Sequence, residues 1–178
     1  MIKKVKSLLM KLLLIILLII IKEVKMKYKR GDLLEATETY IAHGCNAQGV
    51  MGSGVALQIK KKHPYAYKKY KEHCDIHRTG ELPTEVMLGD IIPARGTSGK
   101  TIVNMITQDH FGSVGRHVNY IALVSCLQNL VKYGGESITV AIPRIGAGLG
   151  GGDWNIIERL IEDFEELNPS IEFTVYDL

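Results

Sequence analysis

From Met26 onward, hydrophobic positions along the chain alternate between a short strand-like pattern and a helical period. "KYKRGD" and "TYIAHGCN" read as strands bounded by turn residues. "GVALQIKKKHPYAYKKYKEH" predicts a helix that Pro64 breaks or restarts. "TEVMLGDIIPA" and "KTIVNMITQ" predict a strand pair joined across "ARGTSGK". "NYIALVSCLQNLVKY" is amphipathic at helical spacing and is closed by Gly134 and Gly135. "SITVAIP" is almost continuously apolar, as a strand covered on both faces would be. "DWNIIERLIEDFEEL" sets Trp154, Ile157, Ile161 and Phe164 on one face, with Asp153 placed to cap its start, and "IEFTVYDL" closes the chain as a strand. The order predicts a single three-layer α/β/α domain over residues 26–178, with no internal repeat or low-complexity linker.

Residues 1–25 break this pattern. Lysines flank a pure apolar run, Leu12–Ile21, which is short for a bilayer span of about 20 residues. The run has the length of a signal-peptide core, but no small-residue cleavage site follows it. Three readings stay open: a membrane anchor through residues 8–21, an uncleaved signal, or sequence upstream of the true start. Met26 would make a natural start, since "MKYKRGDLLEA" opens directly into the domain.

Charge follows the same boundary. Residues 1–27 carry seven lysines against Glu23, a net +6, so a chain total of +3 leaves −3 for the remainder. The body therefore offers no general nucleic-acid surface. Cys45, Cys74 and Cys126 are odd in number and widely spaced, which argues against a disulfide framework or a zinc site and fits a reducing, cytoplasmic setting. No metal and no cofactor are expected. The lysine-rich stretches 60–62 and 68–71 read as the solvated face of a helix.

The candidate chemistry lies in two glycine clusters. "AIPRIGAGLGGGDW" runs from buried strand through a loop with five glycines to a helix start, and "HGCNAQGVMGSGVALQIKKKHP" repeats that plan earlier in the chain. Free backbone N–H groups and the helix dipole make such a loop an anion cradle. A P-loop is excluded because Asp153 and Trp154 follow Gly152 where GK[ST] is required. "GAGLGG" matches a dinucleotide-binding fingerprint only weakly, with too little chain left for the acidic residue that should follow. Two loops of this kind could clasp a diphosphate from both sides.

With "GDLLEA" and "FTVYDL" added, the ordered motifs resemble the macro domain, the ADP-ribose-binding fold, across essentially all of residues 26–178. The resemblance implies a central mixed, mostly parallel sheet and a monomer. Its nearest branches are ADP-ribose 1''-phosphate phosphatases and terminal ADP-ribose protein glycohydrolases. Carried over, it puts Asp32 on the adenine amino group, with Gly31 and Leu33 among the substrate-binding residues. Asn46 would lie near the distal ribose, with Gly44 and Cys45 among the substrate-binding residues. Met51, Gly52, Ser53, Gly54, Val55 and Ala56 would wrap that ribose and one phosphate. Arg144, Ile145, Gly146, Ala147, Gly148, Leu149 and Gly150 would supply the diphosphate loop, with glycines that let the backbone approach phosphate oxygens.

For catalysis, the glycohydrolase branch uses a lysine and an aspartate at positions that fall here on Gln108 and Gly150, and neither residue can do that chemistry. The phosphatase-like branch has a histidine at His43, which would act as general acid or nucleophile, or else is satisfied by backbone groups at a strand end. Asp153 would orient a water, or serve as a plain helix cap. Asp109, His110 and Phe111 in "TQDHFG" read as a substrate loop, and Cys45 as either a reactive or a buried thiol. The expected function is hydrolysis of ADP-ribose 1''-phosphate to ADP-ribose and phosphate. The alternatives are removal of ADP-ribose from protein and non-catalytic reading of ADP-ribose.

Overall fold

Pro64 and the two glycine clusters punctuate the chain where the sequence places them. A computed structural model describes residues 10–11, 26–79, 87–97 and 99–177; the leader's apolar run and residues 84–86 of the expected third strand lie outside these. The strands are β1 (Lys27–Arg30), β2 (Tyr40–Asn46), β3 (Ile91–Arg95), β4 (Thr101–Gln108), β5 (Ile138–Ile142) and β6 (Ile171–Asp177). The helices are α1 (Gly54–Lys62), α2 (Pro64–Thr79), α3 (Tyr120–Gly134) and α4 (Trp154–Leu167). Pro64 begins α2, where its missing N–H is no loss. Gly135 ends α3 with φ +83°. Among the described residues no helix is long and apolar enough to cross a membrane.

The strands form one sheet in the order β1-β6-β5-β2-β4-β3, parallel throughout except for β3 against β4. Side-chain parity along β2 assigns the layers. Ala42 packs with Leu127 of α3 and Ile157 and Ile161 of α4. Ile41 packs with Ile59 of α1 and Ala66 of α2, and Cys45 with Tyr70 and Cys74 of α2. The sheet is thus covered on both faces, and burial of these apolar layers is the main stabilising force.

This topology fixes the position of the site. β2 and β5 are parallel neighbours, so the loops that follow them leave the same end of the sheet. The first leads to α1 on one face and the second to α4 on the other. Adjacent strands whose connections part in this way open a crevice at their carboxyl ends.

Candidate functional site

The crevice is a cleft of about 690 Å³ between the loop after β2 and the loop after β5, walled by Gln108, Phe111, Gly112 and Ser113. A smaller pocket of about 190 Å³, lined by Gly31, Asp32, Leu33 and Tyr176, adjoins it and shares Val55, Pro143 and Arg144. A bulge in the β2–β4 register between Cys45 and Asn46 ends regular pairing where the first loop begins.

The glycines serve two different purposes. In the second loop, a Cβ at Gly150 would lie 2.6 Å from the Gly146 carbonyl oxygen, and at Gly151 2.3 Å from that of Gly115. At Gly152 it would meet Val118 at 2.6 Å, and Gly146 has φ +72° with Val118 at 2.8 Å. These four are required by packing within the protein. Only Gly148 in this cluster has open space around a would-be Cβ, with no left-handed φ to explain it. Gly52 in the first loop is similar, meeting nothing nearer than Val50 at 3.8 Å. Both line the cleft. The expectation that ligand approach explains the whole cluster is therefore narrowed to Gly148, with Gly52 opposite.

Backbone donors supply the anion-binding character. Ser53 caps α1 by backbone position but makes no side-chain bond to it, whereas Asn119 and Asp153 both accept N–H bonds at the starts of α3 and α4. The first-turn amides of α1 are thus left free at the cleft. Across from them, the amides of Gly148, Leu149 and Gly150 donate to no protein acceptor among the described residues. Arg144 does not serve as a free cation. Its Nε and Nη2 each lie 2.8 Å from the Asp177 carboxylate, which raises the guanidinium pKa further and lowers that of Asp177. Its guanidinium also packs over the rings of Tyr28 and Trp154. Asp32 accepts the Leu34 N–H at 2.8 Å through Oδ1, the main cause of its lowered pKa, and holds Lys62 only loosely at 3.4 Å through Oδ2. That second oxygen can accept an amino group.

Most of the anticipated binding residues converge on the two pockets, with two exceptions. Met51 is 2% exposed and packs with Tyr70 and Cys74, because its side chain turns into the core while its neighbours face the cleft. Ala147 does not reach the cleft lining. Asn46 reaches it as a brace: its Oδ1 accepts from Gln48 and Val50 amides and from the Tyr70 hydroxyl, and its Nδ2 donates to the Val50 carbonyl at 2.7 Å.

The two expected catalytic side chains are not brought together. His43 borders the cleft floor, but the residue is 1% exposed and its Nε2 is 2.8 Å from Asn104 Oδ1, which points it into the layer beneath α2. Burial lowers its pKa to about 4. The geometry gives it a supporting place behind Gly44. Asp153 is exposed, spends Oδ1 on the Asn155 amide and does not line the cleft; it caps α4. Cys45 is buried, and desolvation pushes its thiol well above the ordinary range. Between the lining residues Gln108 and Phe111, Asp109 and His110 do not themselves line the cleft; Asp109 pairs through Oδ2 with His110 Nδ1. Gln108 and Gln48 anchor that loop by bonds to the His110 and Asp109 carbonyls at 2.7 and 3.2 Å. Pro143, Ser113, Tyr176 and Asp177 also line the pockets without having been anticipated there, since their placement depends on non-local folding. The single His/Cys/Asp/Glu cluster among the described residues with metal-ligand proximity, His73, His77 and Asp90, shares no residue with either pocket.

Comparison with known proteins agrees with this architecture. The Macro domain family model matches residues 42–161. The chain is 30% identical over 168 residues to an ADP-ribose 1''-phosphate phosphatase of Meyerozyma guilliermondii, covering 80% of this chain and 95% of that protein. It is also 30% identical over 155 residues to a DNA ADP-ribosyl glycohydrolase of Mycobacterium tuberculosis, covering 84% of this chain but only 41% of that longer protein. The solved macrodomain of Mycobacterium tuberculosis DarG superimposes with a TM-score of 0.67 at 27% identity, covering 86% of this chain and 97% of that one.

Proposed function

This chain belongs to the macro domain family, and on that premise we propose that it binds ADP-ribose and hydrolyses a terminal ADP-ribose derivative, with ADP-ribose 1''-phosphate as the preferred substrate. One observation carries the reading: two sets of unengaged backbone amides, on α1 and on the loop 148–150, belong to residues that line one cleft. Such donors suit a diphosphate, because charge-assisted bonds to phosphate oxygens are the strong ones. The smaller pocket beside Asp32 takes the adenine. Arg144, pinned by Asp177, forms the divide between the two lobes. The distal ribose then lies toward Asn46, Gln108 and Phe111.

Hydrolysis of the phosphomonoester requires water to attack phosphorus while the anomeric oxygen leaves and gains a proton. We assign the acid–base role to His110, which lies outside the cleft lining but between the lining residues Gln108 and Phe111, with Asp109 holding its Nδ1. The lysine-adduct route has no support here. Gln108 is no nucleophile, and Gly150 has no room for a side chain.

The named relatives favour a second reading, release of ADP-ribose from DNA, at the same level of identity. Parallel assays on ADP-ribose 1''-phosphate, ADP-ribosylated DNA and ADP-ribosylated protein separate these. Phosphate release from the first is expected. Turnover confined to DNA or protein would overturn the preferred substrate, and binding without any turnover would make the domain a reader.

A further inference from the structure

His73 and His77 stand four residues apart on α2, which puts both imidazoles on one face of the helix. Their ring centroids are 4.8 Å apart. Asp90 joins them from the turn before β3, with its Oδ2 3.0 Å from His73 Nε2. The backbone of Asp90 is clamped on both sides: its N–H donates to Met87, and its carbonyl accepts from Ile106 at 2.9 Å and Cys126 Sγ at 3.4 Å. All three side chains can present ligand atoms within 4.8 Å of one another. A second observation points to an absent ligand. His77 Nδ1 is buried with no hydrogen-bond partner among the described residues, a state that normally carries a desolvation penalty.

We infer that His73, His77 and Asp90 form a zinc-class metal site that ties α2 to the turn before β3. Tetrahedral zinc with bonds of roughly 2.0–2.2 Å needs ligand atoms about 3.3 Å apart. The His73–Asp90 pair already meets this, and side-chain rotation of His77 closes the rest. Two imidazoles and one carboxylate suit a borderline transition ion; calcium and magnesium prefer oxygen alone. Side-chain exposures of 30% for His73 and 39% for Asp90 leave an entry path and an open fourth position for water. The expectation of no metal rested on the cysteines; the His73–His77 pair is local in sequence, but its third member lies 13 residues further along the chain.

Titration of the full chain with cobalt(II), followed by visible absorption, tests this. A single equivalent should give ligand-field bands without a thiolate charge-transfer band, displaced by zinc. Zinc should also raise Tm, as ligands of the folded state do. Outer-shell partners alone are worth about 10–100-fold in metal affinity, so His77→Ala should lower it by more than about 100-fold while ADP-ribose binding is unchanged. Asp90→Asn, a near-isosteric change at a half-buried position, should lower the affinity in the same direction. Absence of binding, a thiolate band, or unchanged affinity in both variants would overturn the site.

Discussion

Gly148→Ala separates binding from folding, because the added methyl meets nothing within 4 Å of protein yet projects at the cleft. The native φ is not left-handed, so alanine fits without backbone strain. Replacing glycine at such a position narrows the unfolded ensemble and stabilises by about 0.4–1 kcal/mol. Binding should move the other way. On the proposed reading, the methyl stands where a phosphate oxygen approaches the amides of 148–150. Loss of one hydrogen bond to a charged group is worth about 1.5–3 kcal/mol, or about 10- to 150-fold in Kd. Gly148→Val should remove measurable binding. Gly150→Ala is the control, since its methyl would collide with the Gly146 carbonyl and should lower Tm. Isothermal titration with ADP-ribose and thermal unfolding read the two effects. Wild-type affinity in Gly148→Ala, or a Tm loss like that of Gly150→Ala, would refute the division of the glycines into packing and ligand-facing positions.

His110→Ala should lower turnover of ADP-ribose 1''-phosphate by about 10²–10⁴-fold with affinity held within a few-fold; unchanged turnover would remove it from the chemistry. A chain beginning at Met26, whose side chain is buried against α4, should fold and bind ADP-ribose like the full chain, as calorimetry would show. His43 also makes stability depend on pH. Its pKa, lowered from 6.5 to about 4 in the folded state, lets the unfolded chain take the proton first as pH falls, so stability drops between those values by at most about 3 kcal/mol. Glu165, which burial raises to about 7, acts with the opposite sign over an overlapping range. Urea unfolding of wild type and His43→Gln from pH 7 to pH 4 therefore isolates His43 in the difference, and parallel profiles would count against its neutral, buried state.

Local signals carried much of the fold. Pro64, the Gly134–Gly135 pair and the Asp153 cap each act within a few residues, and each sits at the boundary it marks. The site was legible as two loops but not in its detail. Glycine spacing does not show which positions face a ligand, and four of the five in the second loop answer to Val118, Gly115 and each other instead. Met51 lies inside a binding motif, yet its side chain belongs to the core. Strand parity held a usable signal for His43, since Ile41 and Cys45 on the same side of β2 are core residues. Arg144 with Asp177, and His73 with Asp90, are pairings made by tertiary contact, which spacing along the chain does not encode.

The central claim is that free amides on both sides of one cleft hold the diphosphate of ADP-ribose. Amide-resolved NMR titration of the protein with ADP-ribose, in the presence of EDTA, tests it most directly. The account predicts saturable shifts concentrated at residues 52–56 and 146–150, with a smaller set around Asp32. Shifts confined elsewhere, shifts on one loop alone, or loss of binding on chelation would contradict it.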